Sequence, residues 1–299
     1  MLSATSTRAA LVAMLALGAL AGCGGSAKHA SNPPAQPYSQ RSTAPGSVAR
    51  VTPKDYRAPI ATYKRYVRRQ LGTLVRDVAG LRAAIARGDL ASARAAWLKG
   101  DARYESIGAA YGAFGDLDAA VRDNLRRTEV ALWRVRSPRA AARPAARLAT
   151  AVARLRARVA TMTIDPLEYS LRAHEILEDG IHLQLSGQAS PWSGAALVAL
   201  RAEVRGTRVV LQTLDPLLAR RDPTAAVPLA RRALRRLSAA LARLERGDGS
   251  LPRWDRVGQR DRELVDGLAA GAAEQLAYVP ELIDPRPPRP AQRAFGSGS

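Results

Sequence analysis

Two of the chain's three histidines lie in one short segment, residues 174–182, which reads HEILEDGIH. On a helix with 3.6 residues per turn, the spacing i, i+4 and i+8 places His174, Glu178 and His182 on one face. Imidazole nitrogens and a carboxylate oxygen in such a column can bind a transition metal. The spacing also permits, and slightly favours, a polar helix face on which Glu178 only hydrogen-bonds its histidine neighbours.

Four more carboxylates stand out because the rest of the chain is strongly basic: Glu105, Asp116, Asp118 and Glu129. Each has a simpler explanation when it is taken singly. Asp116 follows Gly115 and would serve as the N-cap of a helix. Glu129 would pair with a neighbouring arginine on the same helix. None of the four identifies a site by itself.

The first residues of the chain predict export. Arg8 precedes an apolar stretch over 9–20, and Leu20-Ala21-Gly22-Cys23 resembles a bacterial lipobox. We therefore expect a lipoprotein signal peptide over 1–22, with lipid attached to Cys23. The alternative, a buried structural cysteine, is disfavoured because the chain has no second cysteine to pair with it. A flexible tether rich in Pro, Ser and Gly would follow over 23–54, which places the folded part outside the cytoplasm at the cell membrane.

Residues 55–285 are long enough to bury a sizeable core, and their apolar periodicity is helical almost throughout. Gly-Asp, Ser-Pro and Asp-Pro pairs separate the periodic stretches. No segment alternates in the manner of a β-strand, so the sequence predicts an all-α helical bundle with a disordered tail over 286–299. The predicted helical ranges are 57–87, 90–113, 117–136, 140–162, 166–187, 194–214, 223–246 and 258–279.

The formal net charge of +20 raises the possibility of nucleic-acid binding. The arginines, however, are spread over nearly every predicted helix, and no aromatic-rich reading surface accompanies them. Solvated helix faces, attracted to anionic lipid headgroups, explain the charge better. No nucleic-acid partner is expected.

Several separate blocks of sequence resemble one family. The stretch 97–118, which includes YESIG and YGAFGDLD, looks like the imelysin-like domain of EfeO/EfeM-type iron-uptake lipoproteins, in the imelysin peptidase-like family. The blocks AHEILED at 173–179, LSGQ at 185–188, VRGTR at 204–208 and LDPLL at 214–218 are similar to that family in order and spacing. The resemblance covers the whole predicted folded part, about 55–280.

The resemblance implies one imelysin-like domain built as two similar four-helix halves, with a metal-related site between them. Carboxylate oxygen with some imidazole suits iron, as Fe²⁺ or Fe³⁺, although another divalent cation is possible. The residues that match the family's site are Glu105, Asp116, Asp118 and Glu129 from the first half, and His174, Glu175 and Glu178 from the second. His182 rests on helical spacing alone and is an accessory candidate.

One position departs from the family. Its Gly-x-His-x-x-Glu motif would fall at 124–129, where this chain has Asn124 and Arg126 in place of glycine and histidine. Arginine offers only donors, so Arg126 cannot replace imidazole as a ligand. Arg126 could instead pair with Glu129. Either the other residues hold the metal, or the chain binds an anion such as a metal chelate.

The sequence and the resemblance together predict a membrane-anchored, extracytoplasmic protein that captures iron and passes it to a permease. An iron permease and a haem peroxidase are the partners that the resemblance implies. The alternative enzyme is a zinc-dependent peptidase, but Glu178 stands where the second histidine of a His-Glu-x-x-His motif should be. A scaffold with a degenerate site, which binds no metal, is the third possibility.

Overall fold

A computed structural model describes residues 49–219, 221–222 and 224–286. The predicted signal peptide 1–22, Cys23, the tether as far as residue 48, and the tail from 287 onward lie outside the described residues. All regular secondary structure in the described part of the chain is helical, which confirms the predicted all-α fold. The α-helices are α1 (Arg57–Ala86), α2 (Leu90–Glu105), α3 (Tyr111–Phe114), α4 (Asp116–Glu129), α5 (Pro138–Arg158), α6 (Pro166–Asp179), α7 (Ala196–Leu218), α8 (Ala226–Arg243) and α9 (Gln259–Leu282).

Two of the predicted Pro-marked breaks are true helix starts. The Ser137 hydroxyl accepts the Ala140 N–H at the start of α5, and the Asp165 carboxylate accepts two N–H groups at the start of α6. Proline follows each cap, where its missing N–H breaks no helical hydrogen bond. Local chemistry therefore fixes the beginning of both helices.

Several predicted boundaries differ from the structure, and two of them mark larger errors in the predicted breaks. Asp215-Pro216 was expected to end a helix, but α7 continues to Leu218, because a proline in the last turn removes only one hydrogen bond near the helix end. The range 90–113 was expected to be one helix, but α2 ends at Glu105 and a 3₁₀ turn follows over Gly108–Ala110. A Cβ on Gly108 would lie only 3.1 Å from the Ile176 side chain, so the chain turns here where α6 packs closely against it.

The main helices form two four-helix groups. In the first half, α1 packs on α2 and α5, α4 packs on α5, and α2 contacts α4 to close the ring. In the second half, α6 packs on α7 and α9, and α8 packs on α7 and α9. The halves meet mainly where α7 lies against α2 and α1. Amphipathic helices thus bury one apolar face within each group, and α7 is buried on both sides.

Each half contains one helix that ends in a π-helical segment. α4 passes into the first π segment, Val130–Arg134, and α6 passes into the second π segment, Gly180–Leu185. A π turn holds more residues than an α turn, so side chains beyond it point in directions that α-helical spacing does not predict. Both transitions come directly after an acidic residue, Glu129 or Asp179.

The ends of the described region pack against the bundle. Val51, within the range predicted as tether, is buried, and the Tyr56 hydroxyl donates to the Ile283 carbonyl at 2.6 Å. None of the described helices combines the length and apolar character that a membrane span needs.

Candidate functional site

A cleft of about 300 Å³ opens between α2, α4 and the segment that follows the second π segment. Trp97 and Leu125 supply apolar walls, while Asp101 and Glu105 present carboxylates from successive turns of α2. Arg122, Asp123, Arg126, Leu183, Gln188, Ala189 and Ser190 complete the lining. The cleft therefore leads from solvent to acidic side chains in the interior.

Asp101 is the least neutralised carboxylate of the cleft. Its side chain is almost fully buried, and its Oδ2 atom has no hydrogen-bond partner among the described residues. Burial raises the pKa of Asp101 well above its ordinary value, and the negative charges of Glu105 and Glu129 raise it further. Binding of a proton or a cation would give this oxygen a partner.

Glu203 of α7 contributes a second buried carboxylate. It is 2% exposed, and its Oε2 atom also lacks a partner among the described residues. Burial and then the charge of Glu105 raise the pKa of Glu203 well above its ordinary value, while the Gln184 side chain acts in the opposite direction. A Cβ on Gly180 would collide with the Glu203 carboxylate, so glycine at this position makes room for it.

Glu129 closes the other side of the acidic interior. Its Oε1 atom accepts the Trp192 N–H at 3.1 Å, and the Ser193 N–H and hydroxyl at 2.7 Å each. Its Oε2 atom is buried and has no partner in the described part of the chain. Burial raises the pKa of Glu129, although these hydrogen bonds oppose the shift. Arg126 is exposed and forms no ion pair with Glu129 among the described residues, so the direct pairing suggested by the sequence is wrong, although the charge of Arg126 still acts to lower the pKa of Glu129.

Arg122 neutralises two further acids of the first half, Glu105 and Asp118. Its guanidinium contacts Glu105 Oε1 at 3.2 Å and both Asp118 oxygens at 3.1 Å. The same group lies 4.3 Å from the Tyr111 ring centroid and 5.4 Å from that of Tyr104. Burial alone would lower the pKa of Arg122, but Tyr111, Glu105 and Asp118 outweigh it and raise the pKa. An internal cation therefore already stands between Glu105 and Asp118.

The tyrosines complete this network. The Tyr104 hydroxyl donates to Asp118 Oδ1, and the Tyr111 hydroxyl donates to Glu105 Oε2 at 2.9 Å. Burial raises the pKa of both tyrosines well above the usual range, so both remain protonated donors. Glu105 and Asp118 are thus held in fixed positions by three side chains.

In the second half the predicted residues lie nearer the surface. His174 Nε2 is 3.9 Å from Glu178 Oε1, and the buried Nδ1 of His174 has no partner among the described residues. Glu175 instead pairs with Arg172 at 3.2 Å. Arg172 also pairs with Asp179 at 2.8 Å and donates to the Gly108 carbonyl, which ties α6 to the first half.

The histidine-carboxylate-histidine column does not continue to His182. α6 ends at Asp179, and His182 lies in the second π segment, where it is exposed. The wider π turn rotates it away from the register that His174 and Glu178 share. Asp116 is also exposed, in the first turn of α4, while Gly115 occupies the N-cap position with a positive φ of 56°.

The seven predicted ligands therefore fall into separate groups. Glu105 and Asp118 share Arg122, Glu129 is bound by Ser193, Glu175 is bound by Arg172, His174 lies beside Glu178, and Asp116 is exposed. Across residues 49–219, 221–222 and 224–286, no three His, Cys, Asp or Glu side chains are placed so that they could hold a metal ion.

Comparison with known proteins gives significant matches along most of the chain. The iron uptake system component EfeM of Pseudomonas syringae is 24% identical over 246 residues, which cover 77% of this chain and 86% of EfeM. The iron uptake system component EfeO of Escherichia coli K12 is 25% identical over 235 residues. This chain is a relative of EfeM and EfeO.

The match with EfeO covers 74% of this chain but only 62% of EfeO, so the chain spans less than two thirds of that relative. EfeO of Shigella flexneri matches with the same identity and coverage. The resemblance to EfeO and EfeM proteins that the sequence blocks predicted is confirmed. No family model matches the chain, and the imelysin assignment stays a prediction.

The buried polar residues that the sequence analysis missed include Asp101, Gln184 and Glu203. The burial of two of them, Asp101 and Glu203, could have been predicted from the sequence. Asp101 stands one turn before Glu105, so both share a helix face. Glu203 is an acid on an apolar helix, three residues after Leu200 and seven before Val210, which places it on the buried face. The burial of Gln184 could not have been predicted in this way, because it depends on the π turn.

Proposed function

We propose that this chain is an extracytoplasmic component of an iron uptake system, which binds iron and delivers it to a membrane permease. The observation that carries the proposal is the match to EfeM, an iron uptake system component, over 86% of its length. The proposed role is binding and transfer, without catalysis.

The acidic interior supports the binding step. Asp101, Glu129 and Glu203 are buried, and each has one carboxylate oxygen without a partner among the described residues. Unpaired buried acceptors are costly unless a proton or a cation satisfies them. Iron favours such oxygen donors, with imidazole as an additional ligand. The 300 Å³ cleft gives iron a path to Asp101 and Glu105.

Iron binding in this proposal needs a rearrangement. The carboxylates must approach one another more closely than they do among the described residues, and they must lose the protons that the raised pKa values of Asp101 and Glu203 favour. Arg122 would move away from Glu105 or stay as a fixed counter-charge. Glu105, Asp118, Glu129 and His174 remain candidate ligands, while Asp116, Glu175 and Glu178 would have to reorient.

The proposal also includes the surroundings that the sequence predicts. Lipidation at Cys23 would hold the chain on the outer side of the cytoplasmic membrane. An iron permease would receive the metal, and a haem peroxidase would work in the same system. These partners rest on the family resemblance.

Calorimetric titration of the chain with ferrous, ferric, zinc and cupric ions tests the proposal. We expect iron binding that weakens at least about tenfold in Asp101→Asn/Glu203→Gln, because both changes remove a charged oxygen donor. Asp261→Asn/Glu263→Gln, on the exposed first turns of α9, is the control with the same charge change.

The variant Arg126→His tests the departure from the family motif, and Glu178→Ala tests the surface pair. If the wild-type chain binds no iron in either oxidation state while Arg126→His does, the chain has lost its metal site. If neither binds iron, the proposed function is wrong.

A further inference from the structure

A groove of about 300 Å³ between α7 and α8 is lined by three arginines and a single acid. The arginines are Arg208 from α7, and Arg231 and Arg235 from α8. The acid, Asp215, pairs with Arg231. One negative charge therefore faces three positive charges, and the groove retains an excess of positive charge.

The groove holds Arg208 in place. Its guanidinium donates to the Leu234 carbonyl at 3.2 Å and to the Ser238 hydroxyl at 2.7 Å. Burial lowers the pKa of Arg208, and the positive charge of Arg235 lowers it further. An arginine beside another arginine is stabilised by an anion, and the planar guanidinium matches the oxygens of a phosphate group.

A second face of α8, which borders α9, adds two arginines opposite one acid, Glu274. This helix contains five arginines and no aspartate or glutamate. Arg232 and Arg236 are exposed, and Leu229, which is 43% exposed, precedes them by three and seven residues on the same face. A basic face with an exposed leucine is suited to the boundary between headgroups and acyl chains.

The same end of the α7–α8 pair receives the N-terminal part of the chain. Arg221, in the connection between the two helices, donates to the Ala49 carbonyl at 2.7 Å and to the Leu217 carbonyl at 2.7 Å. Arg231 lies only about 8 Å along α8 from its first residue. The stretch that leads back to Cys23 therefore joins the bundle next to the arginine groove.

We propose that this groove and the exposed arginines of α8 bind the phosphate headgroups of anionic phospholipids. Bound in this way, the bundle rests on the membrane surface with α8 toward the lipid. The contact is independent of iron, so it goes beyond the proposed function and survives if that function is wrong. A tether to the same surface would raise the local concentration of headgroups at the groove.

Vesicle flotation of residues 24–299, which lack the predicted signal and the lipidated cysteine, tests the proposal. The vesicles contain phosphatidylcholine alone or phosphatidylcholine with phosphatidylglycerol. The test variant is Arg208→Gln/Arg231→Gln/Arg235→Gln. The matched control is Arg143→Gln/Arg147→Gln/Arg154→Gln, which removes three exposed arginines from α5, a helix that also lacks acids. Arg232→Gln/Arg236→Gln is a second test variant on the exposed face, in case the first does not fold.

We expect binding only to vesicles with phosphatidylglycerol, at least about tenfold weaker in the groove variant and changed less than about twofold in the α5 control. Equal losses in both variants would mean that overall charge is responsible, and would overturn the proposal. Binding of inorganic phosphate without vesicle binding would overturn it as well, because the source would then be a soluble anion. Retention of full vesicle binding by both test variants would exclude the groove and α8.

Discussion

The acids around Arg122 in the first half and Glu203 in the second half differ in how their charge is balanced. In the first half, Glu105 and Asp118 share the guanidinium of Arg122, which two tyrosine rings hold in place. In the second half, Glu203 is buried with no cation in contact with it among the described residues. The first half thus supplies a counter-ion for two of its acids, whereas Glu203, like Asp101 and Glu129 of the first half, has an oxygen whose partner must be a proton or an added cation.

The arginines of the two halves offer the largest expected contrast. Arg122→Met leaves Glu105, 7% exposed, without its cation, and we expect a loss of about 2 kcal/mol in the free energy of unfolding. Arg172→Met leaves acids that are 31% and 44% exposed, so about 1 kcal/mol is expected. Urea denaturation measures both values.

The double variant Arg122→Met/Glu105→Gln serves as the control for this contrast. It should recover part of the lost stability, because no unpaired charge remains. Equal losses for Arg122→Met and Arg172→Met would show that the two halves do not differ in this way.

Close contact between the halves provides a second test. A Cβ on Gly206 of α7 would overlap the Ser106 carbonyl, which is backbone and cannot rotate away. We expect Gly206→Ala to cost about 2 kcal/mol through forced separation of α7 from α2. Gly80→Ala on α1 has open space around it and should be neutral or slightly stabilising. Thermal unfolding compares the two, and an unchanged melting temperature for Gly206→Ala would contradict the close packing.

The pH dependence of stability tests the unpaired carboxylate of Glu203 directly. Since the pKa of Glu203 is raised, the folded chain holds this proton at a higher pH than the unfolded chain does. The stabilisation that comes from this bound proton is fully present below the ordinary glutamate pKa of 4.5. It is lost as the pH rises through the pKa of Glu203 in the folded chain. Glu203→Gln should therefore gain about 1 kcal/mol over wild type near pH 8 and nothing near pH 4.5.

Glu129→Gln is the comparison from the first half. The gain should be smaller, because three hydrogen bonds already stabilise the Glu129 carboxylate. Denaturation in chelator-treated buffer at both pH values gives the answer. If the free energies of unfolding of wild type and Glu203→Gln changed equally with pH, the raised pKa of Glu203 would be contradicted.

The histidines should show the smallest effect. His182→Ala changes an exposed side chain in the second π segment, so stability should stay within about 0.5 kcal/mol of wild type and iron affinity should not change. His174→Ala removes a half-buried imidazole beside Glu178 and should weaken iron binding if the second half supplies a nitrogen ligand. A larger loss of iron affinity in His182→Ala than in His174→Ala would contradict this expectation and would favour the predicted ligand column of His174, Glu178 and His182.

Much of the fold could be predicted because helix signals are local. Ser137-Pro138 and Asp165-Pro166 mark true helix starts, and apolar periodicity placed every long helix. The π segments could not be predicted, since a π turn depends on packing rather than on periodicity, and this is why the column through His182 failed. Glu105, Asp118 and Glu129 were predicted from the resemblance, without their partners. The contact of Asp118 with Arg122 is a local i,i+4 pair that the sequence does offer, whereas the contacts of Glu105 with Arg122 and of Glu129 with Ser193 join residues 17 and 64 positions apart.

Iron binding by the unpaired carboxylates between the halves is the property on which the proposed function depends. A crystal structure of the iron-loaded chain, with anomalous diffraction measured at the iron edge, tests it most directly. We expect an iron peak bonded to Asp101 and Glu203, with the Arg122 guanidinium displaced from Glu105 or retained as a neighbouring counter-charge. An iron peak at His174 and Glu178 on the surface, with Asp101 and Glu203 unmoved, would contradict it.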